Sequence, residues 1–233
     1  MSRGPGPPIR AVSAVLFDAG GTLIHVDGER VCAAAGLPWE EASFDAAENA
    51  AVAAVQRRVQ SNPASTDAER LPLFLETLLA GLGVPPEKRR GSAGAVIAEH
   101  RRSNLWSRAH PDAPAALSTL SKRGYRLGVI SNADGRVRGL LARAGLSAYF
   151  ELVLDSSEVG FEKPDPRIFL AATERLGLPP SACAYVGDIY EIDFLGARGA
   201  GLEAVLIGSG AAPEGVARVP SLTELLGVFP GKA

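Results

Sequence analysis

Along this chain the spacing of apolar residues shifts from strand-like to helical and then to an alternation of the two, which no all-helical or all-strand fold accommodates. "AVSAVLF", residues 11–17, is a short apolar run of the kind a buried strand needs, and it ends on Asp18. From about 28 to 108 the pattern is wholly helical. Leu71, Phe74, Leu75, Leu78, Leu79 and Leu82 recur on one face of a helix that stops at Gly83, and Phe44, Val52, Val55 and Val59 do so more loosely. "SNPAST" breaks the chain between them, and "VPPEK" opens another helix with proline in its first turn. From His110 onward helices and strands alternate. Helix Pro114–Arg123 precedes "YRLGVISN", Arg136–Ala144 precedes "FELVLDS", Pro166–Leu176 precedes "ACAYVGD", and Phe194–Ala200 precedes "LEAVLIG". Strands linked through helices of this length imply βαβ crossovers and a parallel sheet.

The expected fold class is therefore α/β, a Rossmann-like parallel-sheet core domain with an inserted all-helical cap domain. The core takes residues 1–24 and 109–233, and the cap takes 25–108. At 233 residues the chain can bury a core of that size. The apolar stripes of the inserted block read as packing within a helical bundle.

Bulk charge excludes some partners. A net charge of -2 and a pI near 6.0 give no electrostatic reason to expect nucleic acid. The basic clusters Arg57-Arg58, Lys88-Arg89-Arg90 and Arg101-Arg102 are balanced locally: His25 to His110 holds ten Lys or Arg against eleven Asp or Glu, a solvated helical surface. Cys32 and Cys183 match no metal-ligand spacing and read as buried thiols of a reducing compartment. "MSRGPGPPIRA" carries no apolar run and reads as a frayed leader rather than a signal peptide. No segment approaches the roughly 18 to 20 apolar residues that span a bilayer, so the expected location is cytoplasmic, with no membrane partner. Lysine is scarce: of 24 basic residues only Lys88, Lys122, Lys163 and Lys232 are lysines, so any lysine chemistry comes from those four.

In open parallel sheets, ligands bind beyond the carboxyl ends of the strands. The first strand delivers Asp18 there, followed by Gly20, Gly21 and Thr22. The second delivers Ser131 and Asn132 in "VISNADG", the segment after the third carries Lys163 in "GFEKPDPRIF", and the fourth ends on Asp188 with Asp193 five residues on in "YVGDIYEID". Any one of these alone reads as a helix cap or a turn residue. Together they gather three carboxylates, a lysine and a hydroxyl-amide pair on one rim.

The set "FDAGGTL", "VISN", "EKPDPRIF" and "GDIYEID" resembles the four motifs of the haloacid dehalogenase superfamily of hydrolases, in the subfamily whose helical cap lies between the first and second motifs. The resemblance spans nearly the whole chain, and "GDIYEIDFLGARGAG" is especially close to the fourth motif. Asp18, Asp188 and Asp193 gathered in a partly dry site repel one another, and a hard cation held by oxygen ligands resolves that. The resemblance implies Mg²⁺ held by the Asp18 carboxylate, the Gly20 backbone carbonyl and Asp188, with Asp193 holding a coordinated water. It implies Asp18 as a nucleophile that forms an aspartyl-phosphate with a small phosphorylated metabolite. Ser131, Asn132 and Lys163 are then expected on the phosphoryl oxygens, with Lys163 also offsetting the Asp18 charge.

One departure from the pattern matters. Phosphatases of this superfamily carry a second Asp two residues after the nucleophile as general acid and base, and this chain has Gly20. Such a group typically contributes about 10² to 10⁴-fold. Four readings follow. The first is a metal-dependent phosphatase whose leaving group needs no proton, or in which His25 or a cap residue stands in. The second is a 2-haloacid dehalogenase, which the retained Asp188 disfavours. The third is a phosphonate-cleaving enzyme, for which Lys88 is the only cap lysine. The fourth is a binding or regulatory protein with impaired turnover.

Overall fold

The computed structural model describes residues 8–9, 11–63, 65–208 and 213–231. Most of "MSRGPGPPIRA", and Lys232, lie outside them. The described chain divides into two compact units: one runs up to His25 and resumes at Arg108, and the other is Val26–Ser107.

The first unit is built on a six-stranded sheet in the order β5-β4-β1-β6-β7-β8. Its strands are β1 (Ala14–Phe17), β4 (Arg126–Ser131), β5 (Leu152–Asp155), β6 (Cys183–Gly187), β7 (Glu203–Ile207) and β8 (Arg218–Val219). Every neighbouring pair is parallel. The sequence places β1 in the interior because all four of its residues are apolar and buried, as a strand covered on both faces requires. Phe17 is level with Val129 on one side and Val186 on the other, so the ends of β4 and β6 flank the tip that carries Asp18.

Helices follow the strands as the alternation predicts: α5 (Ala113–Lys122), α6 (Val137–Arg143), α7 (Ser156–Val159), α8 (Pro166–Leu176), α9 (Leu195–Gly199) and α10 (Leu222–Val228). Local chemistry sets α8 sharply. Asp165 accepts the Arg167 N–H at 2.9 Å as N-cap, Pro166 takes the first turn, and Gly177 closes it in the left-handed conformation. Its Ile168, Phe169 and Ala172 pack with Ala14, Leu16 and Tyr185 in one core cluster on a face of the sheet.

The second unit contains α1 (Gly28–Ala35), α2 (Glu41–Ser61), α3 (Asp67–Gly81) and α4 (Pro86–Arg102). The Glu69 carboxylate reaches back to the Thr66 N–H at 2.8 Å and starts α3 where "SNPAST" ends. Phe74, Leu75 and Leu78 of α3 pack with Phe44, Ala47 and Ala51 of α2, the bundle core that the stripes predict.

Three details differ from expectation. The first strand begins at Ala14 rather than Ala11. The inserted block is not wholly helical: β2 (Ile24–Val26) and β3 (Trp106–Ala109) form a two-stranded sheet where the chain leaves and re-enters the first unit. The helix expected over Phe194–Ala200 is preceded by a π-helical turn, Tyr190–Phe194, which begins two residues after Asp188. Such turns concentrate at functional sites because they re-aim side chains.

Candidate active site

Asp18 sits one residue past β1, and its N–H continues the ladder by donating to the Val186 carbonyl at 2.8 Å. The side chain is buried, and its Oδ1 accepts from Lys163 Nζ at 2.7 Å. Burial pushes the Asp18 carboxyl up to about 6; the Lys163 charge opposes that shift and the Asp193 charge adds to it.

Lys163, 4% exposed, follows α7 in the loop that enters α8. Its ammonium donates to Asp18 Oδ1 at 2.7 Å, to Asp193 Oδ1 at 2.7 Å and to the Tyr185 hydroxyl at 2.8 Å. Burial alone would depress its pKa, but the charges of Asp18 and Asp193 outweigh it and hold the group well above the usual lysine range. The other oxygen of Asp193 accepts the Ile189 N–H at 2.9 Å. Burial, followed by the charges of Asp193 and Asp18, drives Asp188 well above the usual carboxylate range.

The end of β4 supplies Ser131 and Asn132. The Ser131 side chain is buried, and its hydroxyl makes no hydrogen bond with the described residues. Asn132 clasps the lysine backbone: its Oδ1 accepts the Lys163 N–H at 2.7 Å and its Nδ2 donates to the Lys163 carbonyl at 3.0 Å.

These contacts bear on three residues singled out from the sequence. All three ammonium N–H bonds of Lys163 have acceptors, so the lysine offsets carboxylate charge in this arrangement. The Asn132 amide holds the lysine loop, with a single Nδ2 hydrogen left over. Asp193, expected to hold a coordinated water, has one oxygen on Lys163 and the other on the Ile189 N–H. His25 is not a ready proton donor either. Burial, then the charges of His110 and Arg108, push it down to about 4, so at neutral pH it carries no imidazolium proton.

Two residues escaped the sequence reading. Tyr185 lies within the apolar run of β6 and packs edge-on to Phe169, but its hydroxyl touches Lys163. Arg218 on β8 donates weakly to the Ile207 and Gly208 carbonyls, and its buried Nε has no partner among the described residues. Burial lowers its pKa, and the charge of Asp188 acts against that.

The donor set suits a hard divalent cation. Oxygens of Asp18, Asp188 and Asp193 all lie within 4.8 Å of one another. Three acids face one lysine, and burial, with the neighbouring carboxylate charges adding to it, pushes both Asp18 and Asp188 up. The β1 turn leaves room for Asp188, since a Cβ on Gly21 would stand 2.8 Å from its Oδ2. In the same turn the Gly20 carbonyl accepts no hydrogen bond from the described residues, and the Thr22 hydroxyl is buried without a partner among them. A carbonyl oxygen without a donor, set beside a cluster of carboxylates, is what Mg²⁺ coordination uses.

Comparison with known proteins agrees with this arrangement. A family model described as haloacid dehalogenase-like hydrolase matches residues 12–201. The chain is 40% identical over 141 residues to phosphoserine phosphatase from Thermus thermophilus, covering 60% of this chain and 55% of that protein. It is 29% identical over 212 residues to glyceraldehyde 3-phosphate phosphatase from Methanopyrus kandleri, covering 85% of each. Among solved structures, a phosphatase from Thermococcus onnurineus superposes with a TM-score of 0.60 at 26% identity, over 95% of this chain and 99% of that one.

Proposed function

Because the chain belongs to the haloacid dehalogenase-like hydrolases, we propose that it is a Mg²⁺-dependent phosphatase acting on a small phosphorylated metabolite through an aspartyl-phosphate. In this reading the helical unit Val26–Ser107 is its inserted cap. The observation that carries the proposal is the Asp18–Lys163 pair at 2.7 Å inside a cluster of three buried or half-buried carboxylates. An isolated aspartate would be a poor nucleophile toward an anion, but this one is aligned by an ammonium that its neighbours hold charged.

Asp18, Asp188 and the Gly20 carbonyl would hold the cation. When bound, Mg²⁺ supplies the positive charge that lets a carboxylate approach a phosphoryl group. The Asp18 oxygen not held by Lys163 forms the bond to phosphorus as the leaving oxygen departs with its electron pair. Ser131, whose hydroxyl is uncommitted, and the remaining Asn132 N–H bind the phosphoryl oxygens. Water then attacks phosphorus and releases phosphate, restoring Asp18.

Gly20 offers no proton and His25 carries none to give at neutral pH, so the chemistry favours leaving groups that depart as stable anions. Aryl and acyl phosphates meet that condition. The phosphatase names of the relatives support small phosphate monoesters as the wider class. The same glycine favours a second reading, a ligand-binding or regulatory protein of this family with weak turnover. Dehalogenation fits less well, since displacing halide from carbon gives no use to a cation-ready cluster of acids. The test is Mg²⁺-dependent hydrolysis of p-nitrophenyl phosphate, expected in the wild type and lost in Asp18→Asn. Absence of turnover across aryl, acyl and alkyl phosphates would overturn the phosphatase reading in favour of the second.

A further inference from the structure

An ammonium group has three N–H bonds, and in Lys163 each has its own acceptor. Two of these acceptors, Asp18 and Asp193, are carboxylates at the same distance, 2.7 Å. A cation between two equal charges has no electrostatic reason to keep one position; it can drift toward either. The third acceptor is neutral and is fixed from elsewhere. The Tyr185 hydroxyl donates its proton to the Ile130 carbonyl on β4 at 2.9 Å, so it presents a lone pair to Lys163. The ring is 1% exposed and stands edge-on to Phe169, with centroids 5.1 Å apart, which leaves the side chain no second rotamer without repacking the core. Asn132 meanwhile holds the backbone of the same lysine by both its amide atoms. Lys163 is thus pinned at its two ends, its ammonium by a residue in the middle of β6 and its backbone by one just past the end of β4.

We propose that Tyr185 is a positioning residue for the Lys163 ammonium. Its hydroxyl is the fixed third point that holds the charge midway between Asp18 and Asp193. It keeps the ammonium from collapsing onto Asp193 and leaving the nucleophile uncompensated. The kinetic side of this proposal rests on the phosphatase reading; the structural side does not.

The test compares two tyrosine-to-phenylalanine variants. Tyr185→Phe removes one oxygen and leaves the ring. Tyr125→Phe removes a hydroxyl of the same kind, a donor to the Pro230 carbonyl at 2.7 Å, at the opposite end of β4 from Ser131. The first readout is water exchange of the lysine ammonium protons by ¹⁵N NMR in metal-free protein. With only four lysines, of which Lys88 and Lys122 are exposed, the slowly exchanging Lys163 signal is identified by its cross-relaxation with the Tyr185 ring. In Tyr185→Phe the exchange is expected to rise about ten-fold, and kcat to fall about ten-fold with KM changed by less than about two-fold. Tyr125→Phe is expected to lower stability while moving neither. Unchanged Lys163 exchange in Tyr185→Phe overturns the proposal, as do equal effects of the two variants. If the wild type hydrolyses no phosphate, the phosphatase reading fails and the exchange measurement still decides the role of Tyr185.

Discussion

Gly187 at the end of β6 and Asp193 in the π-helical turn are packed so closely that a Cβ on the glycine would lie 2.4 Å from the aspartate Cγ. Asp193 is 1% exposed and tied to both Lys163 and the Ile189 N–H, so it cannot swing aside. Gly187→Ala is therefore expected to cost about 3 kcal/mol of stability and to move Asp193 off the lysine. Urea unfolding checks the first effect. The second is read as a loss of about 10²-fold in phosphate hydrolysis.

Gly20→Asp restores a carboxyl where phosphatases of this superfamily carry their proton donor. Gly21, not Gly20, takes the left-handed backbone conformation, so an L side chain at position 20 meets no backbone strain. The metal-binding candidate there is a main-chain oxygen, which the substitution leaves in place. Hydrolysis of alkyl phosphates is expected to rise, toward the roughly 10² to 10⁴-fold that such a group contributes. A fall in activity would mean that the pocket is built around something other than the missing acid.

Metal and pH are coupled through Asp18. Its carboxyl titrates near 3.8 in the unfolded chain and at about 6 in the fold. Between those values the folded chain keeps a proton that the unfolded chain has lost, so metal-free stability falls as pH rises through the window, by about 3 kcal/mol. Mg²⁺ competes with that proton. Thermal unfolding should show little gain from Mg²⁺ at pH 5 and a gain that grows as pH rises past 6, where the cation must also displace the proton that burial favours on Asp188. Asp18→Asn is expected to flatten the metal-free dependence. Equal Mg²⁺ stabilisation at both pH values would count against Asp18 as a ligand.

His25 has the opposite sign. Its ring lies 5.1 Å from that of His110, and its pKa drops from 6.5 in the unfolded chain to about 4 in the fold. Above pH 6.5 both states are neutral and nothing is lost. As pH falls toward 4 the unfolded chain takes up a proton that the folded one refuses, which costs up to about 3 kcal/mol. His25→Gln should remove most of that acid-side loss, measured as the urea midpoint between pH 4.5 and 7.

Much of the sheet was legible because buried parallel strands are short apolar runs, and three of them lead into a polar residue that the run cannot absorb: Asp18, Ser131, Asp188. The bundle was legible through the stripe from Leu71 to Leu82. "IHV" and "WSRA" escaped because three or four residues carry no measurable period, and β8 has only two. Within the site, the acids and Lys163 stood out as charges at strand ends. Tyr185 did not, because an aromatic residue inside an apolar strand reads as core, and it is core at its ring. The Asn132 clasp depends on the approach of a loop 31 residues away, a tertiary event that no local pattern encodes.

The hydrogen bond from the Asp18 amide to the Val186 carbonyl has a consequence for how this protein fails. Asp18 is anchored in the central ladder of the sheet, between two fully buried strands, rather than on a loop that can fray. Amides in such positions exchange with solvent only when the whole domain opens. The Asp18 amide is therefore expected to belong to the slowest-exchanging set. Partial unfolding of the sheet edge at β8 would leave the reactive centre standing, and its chemistry should vanish only together with the fold itself.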